Sequence, residues 1–169
     1  MSKKRKYSKY DKKKYGWLHF AIEFVAGIAV FLLVVSFVVG VAKVDGVSMY
    51  PTLKNNQPVI YNRLENSYQY GDIVAIKMPS GSNYVKRVIG VAGDTIELKD
   101  GKVSVNGKIV DEPYATQPTE PENERVLYLL TVGEGELFVL GDNRPESVDS
   151  RDFGCVILEN VKGKLLGKH

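Results

Sequence analysis

Three stretches of this 169-residue chain hold side chains that could do chemistry. The first is Gly46-Val47-Ser48-Met49-Tyr50-Pro51-Thr52-Leu53, a serine between turn-forming residues. The second is Tyr84-Val85-Lys86-Arg87-Val88-Ile89-Gly90, a lysine inside a β-branched run. The third runs from Gly141 to Gly154 as GDNRPESVDSRDFG. A serine nucleophile needs a base, and its usual partner is histidine. The chain has two histidines, His19 and His169, and neither is placed to serve these stretches. A Cys-His pair built on Cys155 meets the same objection, and a small buried cysteine has an ordinary packing role. A single cysteine also excludes an internal disulfide framework and a Cys-rich zinc site. No set of metal ligands is apparent, and no cofactor is called for. If this is a serine enzyme, lysine is the remaining base.

A lysine base must be neutral. With an ordinary pKa near 10.4, only about one lysine in 2,500 is neutral at pH 7. Burial among apolar side chains lowers that value. On a strand, Tyr84, Lys86 and Val88 share one face, and Val85, Arg87 and Ile89 share the other. Lys86 then lies between an aromatic and a β-branched residue, and Arg87 needs an acid, Asp142 or Asp149. Taken singly, Lys86 reads as a solvated strand lysine and Ser48 as a turn serine.

The elements that must position these residues are mostly strands. VIYN (59–62), DIVAIKM (72–78), NYVKRVIGVA (83–92), TIELK (95–99), KVSV (102–105), KIV (108–110), RVLYLLTV (125–132) and ELFVL (136–140) are short and rich in β-formers. Asp100-Gly101 and Asn106-Gly107 are hairpin signals. Residues 111–124, with three prolines and five acids, read as an exposed loop. No helical period follows Ala42.

The N-terminal end differs. Residues 1–16 hold eight Lys/Arg and one Asp, so this segment carries +7 and the rest −4 of the net +3. That split argues against a nucleic-acid-binding body. Residues 24–42 are 19 in a row without a charge. As a helix they would cross roughly 30 Å of hydrocarbon. The run exceeds the usual apolar region of a cleaved signal peptide and closes in Val-Ala-Lys-Val (41–44), so an uncleaved signal-anchor is the expectation. The basic excess before the span places the N-terminus in the cytoplasm. The expected layout is a basic cytoplasmic tail (1–16), a transmembrane helix (17–42) and an extracytoplasmic β-rich domain (43–169). The fold class is mainly β: one N-terminal transmembrane helix, then an antiparallel, partly barrel-like domain.

Together the three stretches resemble the type I signal peptidases of the Gram-positive type, membrane-bound Ser-Lys proteases. The matching motifs are Ser48 to Leu53, Tyr84 to Gly90 and Gly141 to Gly154, with a fourth at Gly71-Asp72-Ile73-Val74. The resemblance spans roughly residues 17–163. It implies that Ser48 is the nucleophile, Lys86 the general base, and Ser147 the serine that orients the lysine. It implies that Asp149 with Arg151, and Asp142 with Arg87, support the active-site loop. Met49, Pro51 and Leu53 would shape the serine turn, and Met49, Tyr84 and Val85 would adjoin substrate. Some relatives have a serine where this chain has Gly46, so the oxyanion would rely on backbone N–H groups, that of Ser48 first. The interval from Gly90 to Gly141 lacks the large extra β-domain of bigger members. The implied substrates are preprotein signal peptides with small residues at −1 and −3, met at the lipid bilayer near the export machinery. A non-catalytic relative would have lost Ser48 or Lys86. A self-cleaving Ser-Lys repressor would need a DNA-binding domain where the anchor stands. A dedicated peptidase with few substrates stays open beside a housekeeping one.

Overall fold

The computed structural model describes residues 9–120 and 129–167. Half of the basic N-terminal segment (1–8), part of the 111–124 loop (121–124) and half of the expected 125–132 strand (125–128) lie outside those residues. Two compact units divide at Val38.

The first unit contains helix α1, Lys9–Val38. From Gly16 to Val38 it is long and apolar enough to cross a membrane, with a mean hydropathy of 2.6. Trp17, Phe20, Phe24, Phe31 and Phe37 are all exposed, so the helix has no buried apolar stripe. A helix apolar all round suits lipid better than water, and is compatible with membrane anchoring.

The helix ends before the charge-free run does. Val39–Lys43, whose first four residues read as the end of the span, instead form strand β1. Two local features permit this, and pairing with a distant strand decides it. Val39 and Val41 are β-branched, and Gly40 weakens the helix. In return β1 gains a partner, pairing Gly40 with Tyr61 of strand β2, Pro58–Asn62. The Tyr61 ring fills the place of a Gly40 side chain.

The second unit is mainly β and antiparallel. Strands β3 (Ile73–Lys77), β4 (Asn83–Val91), β9 (Glu136–Leu140), β10 (Val156–Ile157) and β11 (Val161–Leu165) join β1 and β2 in one sheet. Its order is β1-β2-β11-β3-β4-β9-β10. Strands β5 (Thr95–Lys99), β6 (Lys102–Val105), β7 (Lys108–Ile109) and β8 (Leu130–Thr131) form the second, ordered β7-β6-β5-β8. The two hairpin signals are tight turns: Asp100 and Gly101 have φ of 50° and 74°, Asn106 and Gly107 53° and 74°. β1, β10 and β11 were not foreseen, because two-residue and Gly-interrupted strands carry little pattern.

The first sheet curls into a half-barrel. Residues 41–45 and Asn83–Val85 line one groove although three strands separate β1 from β4 in the sheet. Alternation along β3 divides the core. Ile73 and Ala75 join Met49, Leu53 and Tyr61, while Val74 and Ile76 join Val88 and Val139 on the other face. A third cluster around Ile89, Ile96 and Phe138 ties the two sheets together.

Candidate active site

The serine turn is pulled onto the core by Met49 and Leu53, both fully buried. Main-chain bonds set its shape. The Tyr50 N–H donates to Val47 O at 3.0 Å and the Leu53 N–H to Met49 O at 2.8 Å. Gly46 turns the chain with φ of 89°, a value that L side chains rarely adopt. Ser48 itself is half-buried. The Asn143 N–H donates to its carbonyl oxygen at 3.0 Å, and Asn143 Nδ2 to Val47 O at 3.2 Å. Among the described residues no acceptor takes the Ser48 N–H.

Lys86 sits in mid-strand, opposite Val74 of β3, and is 2% exposed. Its Nζ donates to Ser147 Oγ at 2.8 Å and stands 5.4 Å from the Tyr84 ring centre. Burial pushes its pKa down from 10.5 to about 8, against the pull of Asp149 and with help from Arg151. At pKa 8 about one lysine in ten is neutral at pH 7. The expectation of a solvated strand lysine is thus replaced by a desolvated one.

The 141–154 stretch joins the two. Gly141 packs where a side chain would overlap both Ser147 Oγ and the Ser48 carbonyl oxygen. The serine turn and the Ser147–Lys86 pair therefore flank one glycine. Among the described residues no hydrogen bond joins Ser48 to Lys86, whose Nζ donates to Ser147 instead. Asp149 is fully buried and accepts from the Gly141 N–H at 3.0 Å and from Arg151 Nε at 2.9 Å. It also caps helix α2, Ser150–Phe153, in a reciprocal box with Asp152. Arg87, on the opposite face to Lys86, chooses Asp142 over Asp149, with Nε to Oδ1 at 2.8 Å and Nη2 to Oδ2 at 2.7 Å.

The groove beside Ser48 has a volume of about 140 Å³ and is lined by residues 41–45, Ser48, Tyr61, Ala75, Asn83, Tyr84, Val85 and Lys162. Tyr84 and Val85 thus reach it, while Met49 lies in the core beneath and Gly46 on the exposed turn. Among the described residues no group of three or more His, Cys, Asp or Glu is arranged for a metal.

Some members of the site escaped the sequence reading. Thr52 Oγ1 donates to Asp142. Arg144 is buried, donating to Gly141 O and pairing with Glu112 at 2.7 Å. Thr52 and Arg144 lay inside the quoted motifs, where a polar residue among buried neighbours was the available signal. Glu112 lay in the Pro- and acid-rich loop, which gave none. That loop is irregular over 111–120 but not simply exposed: Thr119 is 2% exposed and bonded to Arg144.

Residues 17–167 match the family model for signal peptidase, peptidase S26. Signal peptidase I S of Bacillus subtilis is 37% identical over 162 residues, covering 89% of this chain and 88% of its own. Signal peptidase IB of Staphylococcus aureus is 32% identical over 165 residues, covering 88% and 86%. A crystal structure of a signal peptidase I from Enterococcus faecalis superposes with a TM-score of 0.51 at 38% identity, over 60% of this chain and 98% of that one. With the half-barrel fold and the motifs in one order, these matches are sufficient: the chain belongs to the type I signal peptidase family of serine peptidases.

Proposed function

We propose that the chain is a membrane-bound endopeptidase that removes N-terminal signal peptides from exported preproteins with a Ser48–Lys86 dyad. The observation that carries the reading is the buried Lys86 amine, bonded to Ser147, whose Oγ borders Gly141 together with the Ser48 carbonyl oxygen. Neutral Lys86 takes the Ser48 hydroxyl proton as Oγ attacks the scissile carbonyl. The unoccupied Ser48 N–H faces the developing oxyanion, a donor worth roughly 3–4 kcal/mol in the transition state. Lys86 then returns the proton to the leaving amine. Water, deprotonated by the same lysine, releases the acyl group. Ser147 orients the amine, and the Asp149–Arg151 and Asp142–Arg87 pairs hold the loops around it.

Substrate binding follows from two open strand edges. Among the described residues, β1 pairs only with β2. On β4, pairing with β9 begins at Arg87, which leaves residues 83–86 unpaired on that side. An extended peptide laid in the groove between these edges gains main-chain bonds from both. The groove walls, with Ala75, Tyr61 and Val85, leave room for small side chains, in keeping with cleavage after small residues at −1 and −3. Helix α1 anchors the enzyme within the span 17–42. The basic segment 1–16 keeps the N-terminus cytoplasmic and the domain 43–169 outside. There the enzyme meets preproteins at the bilayer, near the export machinery.

The test is cleavage of a preprotein with an Ala-x-Ala site in detergent. Ser48→Ala and Lys86→Ala should each lose activity by about a thousandfold or more. Undiminished cleavage by Lys86→Ala would sink the dyad.

A further inference from the structure

The 111–120 segment belongs to none of the three motifs, yet its side chains hold two of them. The Tyr114 ring centre lies 3.9 Å from the Arg87 guanidinium carbon. That guanidinium is the one clamped to Asp142, on the residue next to Lys86. Glu112 grips Arg144 with both oxygens, at 2.7 Å and 3.0 Å. Arg144 is 1% exposed, and its Nε donates at 3.0 Å to the carbonyl oxygen of Gly141. The two grips are linked, because the Tyr114 hydroxyl donates to Glu112 Oε1 at 3.0 Å. A loop that only joined β7 to β8 would need neither a ring under one buried guanidinium nor a two-oxygen carboxylate on another.

We propose that residues 112–114 form a positioning strap in which Tyr114 fixes Arg87, beside Lys86, and Glu112 fixes Arg144 and so Gly141, between Ser48 and Ser147. The strap rests on the Ser48–Lys86 reading and deepens it. Glu112 and Tyr114 are positioning residues: neither lines the groove beside Ser48. Loosening them displaces the serine turn relative to the amine and leaves the peptide-binding edges in place. The cost falls on the chemical step, where a shift of about 1 Å is enough to slow the rate up to a hundredfold.

The experiment compares kcat and KM of the full chain in detergent, with a preprotein carrying an Ala-x-Ala site. Tyr114→Ala should lower kcat about tenfold with KM within about twofold. Tyr114→Phe retains the ring on Arg87 and should recover to within about threefold of the parent. Glu112→Gln should lower kcat about fivefold, again with KM nearly constant. If Tyr114→Ala does not fold, Tyr114→Leu, with a similar bulk and no ring face, carries the same expectation. Parental kcat in Tyr114→Ala and Glu112→Gln, or Tyr114→Phe no better than Tyr114→Ala, overturns the strap. Ser48→Ala run alongside separates the two readings. If it is inactive, a failed strap fails alone; if it cleaves, the dyad falls and the strap with it.

Discussion

Ser48 stands on a half-buried turn held mainly by main-chain bonds, whereas Lys86 stands in a strand interior held by side chains. Around the serine, Val47 and Tyr50 are 46% and 53% exposed, and most of the bonds run between main-chain N–H and C=O groups, with the side chains of Asn55 and Asn143 adding one each at Gly46 and Val47. Around the lysine, Arg87, Asp142, Ser147, Asp149 and Arg151 are all buried, and every buried polar side-chain atom among the described residues has a partner. The two solutions answer two demands. On the proposed dyad, the nucleophile must be reached by a polypeptide, so its surroundings stay open and the backbone does most of the holding. A lysine base must lose water, and a dehydrated amine is tolerated only where its neighbours are fully satisfied. Breaking the polar region should therefore cost far more stability than altering the turn.

The largest effect is expected from Asp142→Ala. Arg87 and Asp142 form a buried pair with side chains 4% and 0% exposed. Removing the carboxylate strips a charge partner from a guanidinium that cannot reach water, a loss of about 3–5 kcal/mol. Urea unfolding of the detergent-solubilised enzyme measures it. A loss below about 1 kcal/mol would mean that Gly71 O and the Tyr114 ring suffice for Arg87.

Lys86→Met should move activity and stability in opposite directions. It abolishes cleavage yet raises the thermal midpoint, because it removes a buried charge while conserving length and bulk. The folded pKa of about 8 lies below the ordinary 10.5. Below pH 8 both states hold the proton, and the full burial penalty stands. Between 8 and 10.5 the unfolded chain binds more protons, so the parent grows more stable as pH rises. The advantage of Lys86→Met is thus about 2–3 kcal/mol at pH 7 and shrinks toward pH 10.5. For the parent, kcat/KM should climb with pH through about 8, as the neutral amine accumulates. A flat profile from pH 6 to 9 would speak against Lys86 as the base.

The same contrast governs what could be read in advance. The serine turn and β4 were legible, since motif spacing and period two are local properties. Arg87 needed an acid on sequence grounds, but the choice of Asp142 over Asp149 depends on how β4 meets β9. The end of α1 at Val38 was not legible, because Val39–Ala42 is as apolar as the helix. Only pairing with β2, from a distant stretch, distinguishes them. Glu112 and Tyr114 were hidden for a related reason. In a loop rich in proline and acid, nothing local says which side chains turn inward.

The smallest effect belongs to the turn. Gly46 has φ of 89°, and a side chain there would meet nothing within 4 Å. Gly46→Ala therefore incurs backbone strain alone, about 1–2 kcal/mol, without a clash to add to it. The chain can relieve that strain by rotating the turn, and the Ser48 N–H would rotate with it. Cleavage should fall by roughly tenfold, since an oxyanion donor loses value quickly when misaimed. Unfolding midpoints and cleavage rates for Gly46→Ala and Asp142→Ala, measured together, set the two regions against each other. If Gly46→Ala destabilises as much as Asp142→Ala, the contrast between the two regions does not hold.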